Sequence, residues 1–273
     1  MKKKESQAVI IGEENALTKF AAMNSSKTGR KNQNRHVSVD CVIFGFDESD
    51  LKVLLIERNY GKEGMDKAGK DLLLPGDLIL ETENLDEAAE RVLYELTSLK
   101  NIYLEQFHAF GDPERVRKKS DRKWLESIRE EPGARVITIA YYSLIRPGHY
   151  TPEGSSFAKK IGWYPVNDLP DLGFDHNQIV KKGLQALRRK VQTHPIGYEL
   201  LPKKFTLGQL QKLYEAILGN SMDKRNFRRK ILNKGFVKAL SEKQSHVPHK
   251  RAQLYEFDRA LYLKADKEEE RYF

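Results

Sequence analysis

Residues 223–230 read DKRNFRRK, and their types and spacing suit the reading of DNA. Phe227 and Ile231 lie one helical turn apart and would turn inward, which leaves Lys224, Arg225, Asn226, Arg228 and Arg229 over the outer faces. Arginine and lysine bond guanine edges or phosphates, and asparagine can pair bidentately with adenine. Solvation alone also explains a charged helix surface, so the flanking elements decide. In FTLGQLQKLYEAILG, Thr206 can cap with Gln209 three later, and Leu207, Leu210, Leu213, Tyr214, Ile217 and Leu218 recur on one face before Gly219. Asp223 can cap the next helix and Gly235 end it. FVKAL and AQLYEF then read as short strands around SEKQSHVPHKR, where Lys250 and Arg251 suit backbone or minor-groove contacts. His246 and His249 have no cysteine or acidic cluster beside them and are expected in solvent rather than on a metal. Helix, turn, helix and hairpin is the order of a winged helix-turn-helix.

A second stretch, LPGDLILETENLDEAAERVLYELTSL at 74–99, offers fewer groups for chemistry. Magnesium prefers oxygen ligands, and diphosphate cleavage needs carboxylates clustered around it. On the helix over 85–97, Leu85, Ala88, Ala89, Val92, Leu93 and Leu96 form one apolar stripe, so Val92 and Leu96 extend the face turned to the core. Glu95 alone makes a weak metal site, and Glu83 with Arg91 reads as a structural ion pair. No catalytic residue, metal or cofactor is expected.

Charge separates the parts of the chain. Residues 200–273 carry 17 Lys and Arg against 9 Asp and Glu, whereas 35–199 carry 24 against 27, and the first 34 residues 7 against 3. A basic C-terminal module beside a near-neutral middle suggests a polyanionic partner. Cys41 is the single cysteine, which excludes an intrachain disulfide and, with no apolar run near the ~18 to 20 residues of a membrane span, points to a cytoplasmic protein. MKKKESQAVIIGEEN has too short an apolar run for a secretory signal.

The elements that must position these groups follow from periodicity. HVSVDCVIFGF (36–46) and LKVLLIER (51–58) are β-branched runs around the turn residues 47–50, a hairpin signal, and RVITIAYYSLI (135–145) is a third strand. Residues 112–131 read as loop and short helix, 178–191 as a helix, and 13–23 as a short helix in a polar tail. QTHPIGYELLP (192–202) reads as a linker. The middle is therefore a mixed α/β domain with helices on a sheet.

The stretch at 74–99 resembles the box of the Nudix hydrolases: Glu83, Arg91, Leu93, Glu95 and Leu99 keep its spacing, while Asp77 and Ser98 replace its glycines and Val92 and Leu96 two of its three metal-binding glutamates. With VSVDCVIFGF, VITIAYYSLI, GWYPVNDLPDLGFDHNQIV and MDKRNFRRKIL, the chain is similar to the Nudix-related transcriptional regulators over about residues 35–262. The resemblance implies an α/β Nudix-like α/β/α sandwich with a mixed sheet followed by a winged helix-turn-helix. It divides the chain into a flexible basic tail (1–34), an effector-binding domain (35–195) and a DNA-binding domain (196–273). It also implies no hydrolase activity, a homodimer on a double-stranded DNA operator, and a small-molecule effector. A sugar is the expected effector because the eroded box weakens the case for a diphosphate; an ADP-ribose-like nucleotide, sensed in NAD control or hydrolysed, is the alternative. Candidate effector residues are Arg58, Tyr60, Asp112, Arg115, Asp175 and His176. Each also has a structural reading: Asp175 and His176 as a helix cap, Arg115 as partner of a local acid.

Overall fold

The computed structural model describes residues 32–58, 71–116, 118–129, 131–149, 152, 158–198, 200–245 and 251–262. The helix expected at 13–23 lies outside them, as do Tyr60, His246, His249 and Lys250. β1 (Gln33–Phe46) and β2 (Leu51–Arg58) make the expected hairpin, with Phe44 opposite Val53 and Phe46 opposite Leu51. Its turn forms because the Asp47 carboxylate accepts from the N–H groups of Ser49 and Asp50, doing locally what a strand partner would do. β6 (Ile137–Ile145) runs parallel to β1, Val37 beside Ile137 through Gly45 beside Ile145.

The strands β3 (Leu72–Leu73), β4 (Gly76–Leu80), β5 (Glu105–Phe110) and β7 (Ala158–Pro165) complete a mixed seven-stranded sheet. The order is β3-β2-β1-β6-β5, with β4 also on β1 and β7 on β2. Alternation along β1 separates two cores. Val39, Cys41 and Ile43 pack with Ala88, Ala89, Val92, Leu93 and Leu96 of α1 (Leu85–Thr97). Val42, Phe44 and Phe46 pack on the other side with Ile179, Val180, Leu187 and Val191 of α3 (His176–Thr193). A shorter α2 (Lys119–Ile128) lies between β5 and β6. The α/β/α sandwich expected from the sequence is present.

The core under α3 continues through Ile196, Leu200 and Leu201 into α4 (Leu207–Leu218), α5 (Lys224–Lys234) and Phe236, which precedes the hairpin of β8 (Val237–Lys243) and β9 (Gln253–Phe257). The linker bends at Gly197, whose φ of +115° favours glycine and where a Cβ would lie 3.2–3.3 Å from Phe257, Leu210 and Leu213. Arg188 near the end of α3 donates its Nε–H to the carbonyl of Ile217 in the last turn of α4, at 2.8 Å. The winged helix is thus packed onto the sandwich through apolar side chains and one capping arginine. No helix among the described residues is long and apolar enough to cross a membrane.

Candidate functional site

The DNA-facing candidate is built by its caps. Thr206 starts α4 by accepting from the Gln209 N–H, and Gln209 returns its side-chain oxygen to the Thr206 N–H at 2.9 Å. Gly219 ends the helix at φ 77°. Asp223 starts α5 by accepting from the Asn226 N–H at 2.8 Å, and Gly235 closes it at φ 78°. Phe227 and Ile231 are each 1% exposed, and the Phe227 ring meets Tyr214 edge-on at 5.6 Å. Their burial fixes which face looks out: Lys224, Arg225, Asn226, Arg228 and Arg229 are all exposed. Arg229 donates to the Asn226 side-chain oxygen at 2.9 Å, so Asn226 orients an arginine as well as offering its amide. Arg251 is exposed just before β9. At the root of the wing Lys204 pairs with Glu242 and Lys238 with Asp258.

The helix α1 carries the second motif. Asn84 and Glu87 form a reciprocal capping box at its start, and Ser98 ends it in the left-handed region at φ 59°, at a position where the Nudix box has glycine. Arg91 is 6% exposed. It grips both oxygens of Glu83 at 2.6 and 2.8 Å, reaches Glu95 at 3.0 Å and donates to the Leu78 carbonyl at 3.1 Å. Glu83 is therefore the ion-pair partner that its position suggested. Burial pushes the Glu95 carboxyl up and Arg91 opposes that shift. Val92 and Leu96 are 0% and 7% exposed and stand inside the core. This donor set does not fit a divalent cation: two of the box positions are buried hydrocarbon, and the carboxylates of Glu83 and Glu95 are engaged by a guanidinium.

The effector candidates converge where α3 begins. Asp175 holds the N-cap position but makes no side-chain cap bond; its carboxylate takes Arg115 at 2.9 and 3.3 Å. The backbone N–H of Leu74 donates to His176 Nδ1 at 2.9 Å, leaving the ring proton on Nε2, 3.5 Å from Asp40. Burial pushes the His176 pKa down and Asp40 pulls it up. Asp40 also accepts from the Thr138 hydroxyl at 2.6 Å and lies 3.6 Å from Arg115. Beside this group Arg58, 2% exposed, pairs with Asp71 at 3.1 Å and Asp121 at 2.5 Å between the rings of Trp124 and Phe174, each 4.8 Å away. Asp121 in turn accepts from the Phe174 N–H, which joins the two halves.

Arg58, Arg115, Asp175 and His176 thus meet in one buried polar cluster. Asp112 does not join it: it is exposed, accepts from the Glu114 N–H and, through its carbonyl, from the Arg115 N–H. Two members escaped the sequence reading: Asp40 and Asp121. Asp40 left a signal, as the one charged residue in the apolar run VSVDCVIFGF. Asp121 stands in a segment crowded with charge, where no pattern marks it as the one that turns inward.

Comparison with known proteins places both halves. Residues 197–257 match the family described as the NrtR DNA-binding winged helix domain. The chain is 31% identical over 227 residues to the ADPR responsive transcriptional repressor NtrR of Acinetobacter baylyi, covering 81% of each. It is 26% identical to an ADP-ribose pyrophosphatase of Methanocaldococcus jannaschii, over 63% of this chain and 91% of that protein. Among solved structures, Shewanella oneidensis NrtR complexed with a 27mer DNA shares the fold at a TM-score of 0.60 and 24% identity, over 83% of this chain and 95% of that one. With a Nudix-like sandwich carrying a recognisable box, a matching winged helix and a repressor related along most of its length, the chain belongs to the Nudix-related transcriptional regulators of the NrtR type.

Proposed function

We propose that this protein is a transcriptional regulator that binds an operator through residues 196–273 and senses ADP-ribose, or a closely related nucleotide, through residues 35–195. The observation that carries the reading is the pairing of an outward arginine-rich α5 with a Nudix-like domain in a chain 31% identical to an ADPR responsive repressor. The relatives support ADP-ribose over the sugar expected from the eroded box, since the A. baylyi repressor and the M. jannaschii pyrophosphatase are both named for that nucleotide. On DNA, Arg225, Arg228 and Arg229 supply base or phosphate contacts, with Lys224, Asn226, Lys250 and Arg251 beside them. Two copies present two α5 helices to half-sites about one helical turn apart. On the sensor side Arg115, Asp175 and His176 form the wall next to the effector, with Arg58 behind them.

The α3 helix gives the two functions a mechanical link. It starts at the buried polar cluster and, through Arg188, caps the end of α4. An effector that shifts the start of α3 changes the seating of the winged helix. A coupling of ~1 to 3 kcal/mol then alters operator affinity 5- to 150-fold.

A gel shift of the purified protein on its own upstream DNA, with and without ADP-ribose and a panel of pentoses, tests the reading. A specific complex whose stability responds to ADP-ribose is expected; sequence-blind binding, or a response to a pentose alone, would overturn the regulator or the effector respectively. Catalysis is the second reading, favoured by the retained Glu83, Arg91 and Glu95 and by the pyrophosphatase relative. The metal misfit argues against it. Magnesium-dependent release of AMP that disappears in Glu95→Gln would establish it, and absence of turnover would end it.

A further inference from the structure

Beyond β9 the chain makes one further helical turn, residues 259–262, outside the matched winged helix of residues 197–257. Asp258 builds that turn. Its N–H donates to the Phe236 carbonyl, its carboxylate accepts from the N–H groups of Ala260 and Leu261 at 3.1 and 3.2 Å, and its carbonyl accepts from the Tyr262 N–H at 2.8 Å. The turn carries Tyr262 back onto the linker. Its hydroxyl donates to the Pro195 carbonyl at 2.8 Å, and its ring lies 5.3 Å from both Tyr198 and Phe257 and edge-on to Phe236 at 6.4 Å. Pro195 stands before the bend at Gly197 and Tyr262 after the whole winged helix, so this bond spans the bend. Arg188 makes a second polar tie, to the end of α4. A body held at one point pivots; a second hold restricts its angle.

We propose that Tyr262 is a positioning residue for operator binding. On the preceding reading, in which two copies each present an α5, its bond to Pro195 sets the angle of the winged helix and thereby the half-site spacing that the pair accepts. Each base pair inserted between half-sites turns the second one by about 35° around the DNA axis, so a fixed angle discriminates between spacings. Without the hydroxyl the ring still packs among Tyr198, Phe236 and Phe257, and the winged helix keeps its core. What is lost is the hold across Gly197, so the winged helix reaches more spacings.

Binding of the full chain to its own upstream DNA, with the half-sites moved apart or together by one or two base pairs, tests this. Wild type is expected to prefer one spacing. Tyr262→Phe is expected to narrow that preference about two- to tenfold, as for the loss of one hydrogen bond, chiefly by tolerating the wrong spacings. Thr206→Ala, which weakens the fold away from the bond to Pro195, should keep the wild-type preference. An unchanged preference in Tyr262→Phe, or an equal narrowing in both variants, overturns the assignment, as does a wild type that binds all spacings alike. Hydrogen exchange without DNA separates the assignment from the operator reading. The Leu200 and Leu201 N–H groups, which donate to the Gly197 carbonyl, should exchange about two- to tenfold faster in Tyr262→Phe. If wild type binds no DNA specifically, the operator reading falls; faster exchange then keeps the hold across Gly197, and unchanged exchange removes it as well.

Discussion

Two helices of this protein carry arginine to opposite ends. On α1 the arginine is buried, held by Glu83, Glu95 and a backbone carbonyl, so its charge is spent on holding the fold. On α5, Arg225, Arg228 and Arg229 are exposed, and the apolar residues Phe227 and Ile231 do the anchoring. The same contrast separates the polar cluster around Arg58 from the wing. A guanidinium enclosed with its acids specifies structure, while one projected by a well-packed helix is available to a partner.

Substitutions can break that comparison. The largest effect is expected for Arg58→Ala, which strands the fully buried Asp121; a loss of ~3 to 5 kcal/mol should appear in denaturant unfolding. A loss no larger than that of an exposed arginine would mean that Arg58 is a ligand group rather than part of the framework. Next, Arg225→Ala or Arg229→Ala should cost ~1 to 3 kcal/mol of operator affinity per base contact, with folding stability changed by no more than ~0.5 kcal/mol. A stability change in place of an affinity change would place α5 in the framework class.

Acid should act on the enclosed cluster and spare α5. Burial holds the His176 pKa below its unfolded value of ~6.5, so the unfolded chain binds the extra proton first. Stability from this group is fully present above ~6.5 and falls as pH drops below it, by at most ~1.4 kcal/mol per pH unit. Thermal unfolding at several pH values should show the slope, and His176→Gln should flatten it. The smallest effect is expected for Thr206→Ala, where losing half of the capping box on α4 should cost ~1 kcal/mol in the same unfolding experiment.

Several elements were legible because local chemistry dictates them. The hairpin β1–β2, the caps Thr206, Asp223, Gly219 and Gly235, and the inward pair Phe227 and Ile231 all follow from turn residues and periodicity, and the structure has them in place. The short and edge strands were not legible. β3 has two residues, and β5 at the sheet edge exposes half of its side chains, so neither carries a sustained apolar alternation. The candidate cluster was half legible. Arg115, Asp175 and His176 were picked from loops and element ends, whereas Asp40 and Asp121 come from separate elements.

By itself the sequence determined the two-part plan, a mixed α/β domain followed by a winged helix, and the apolar stripe that takes Val92 and Leu96 into the core. Both are properties of spacing along one segment, which is what a periodic backbone reads out. Tertiary structure alone decided which charges are enclosed and which are offered. That Arg58 meets Asp121 and that Arg115 meets Asp175 and Asp40 are facts about distant segments brought together. Charge has no periodicity across such contacts, and desolvation, which sets the cost of each group, exists only once the chain is folded.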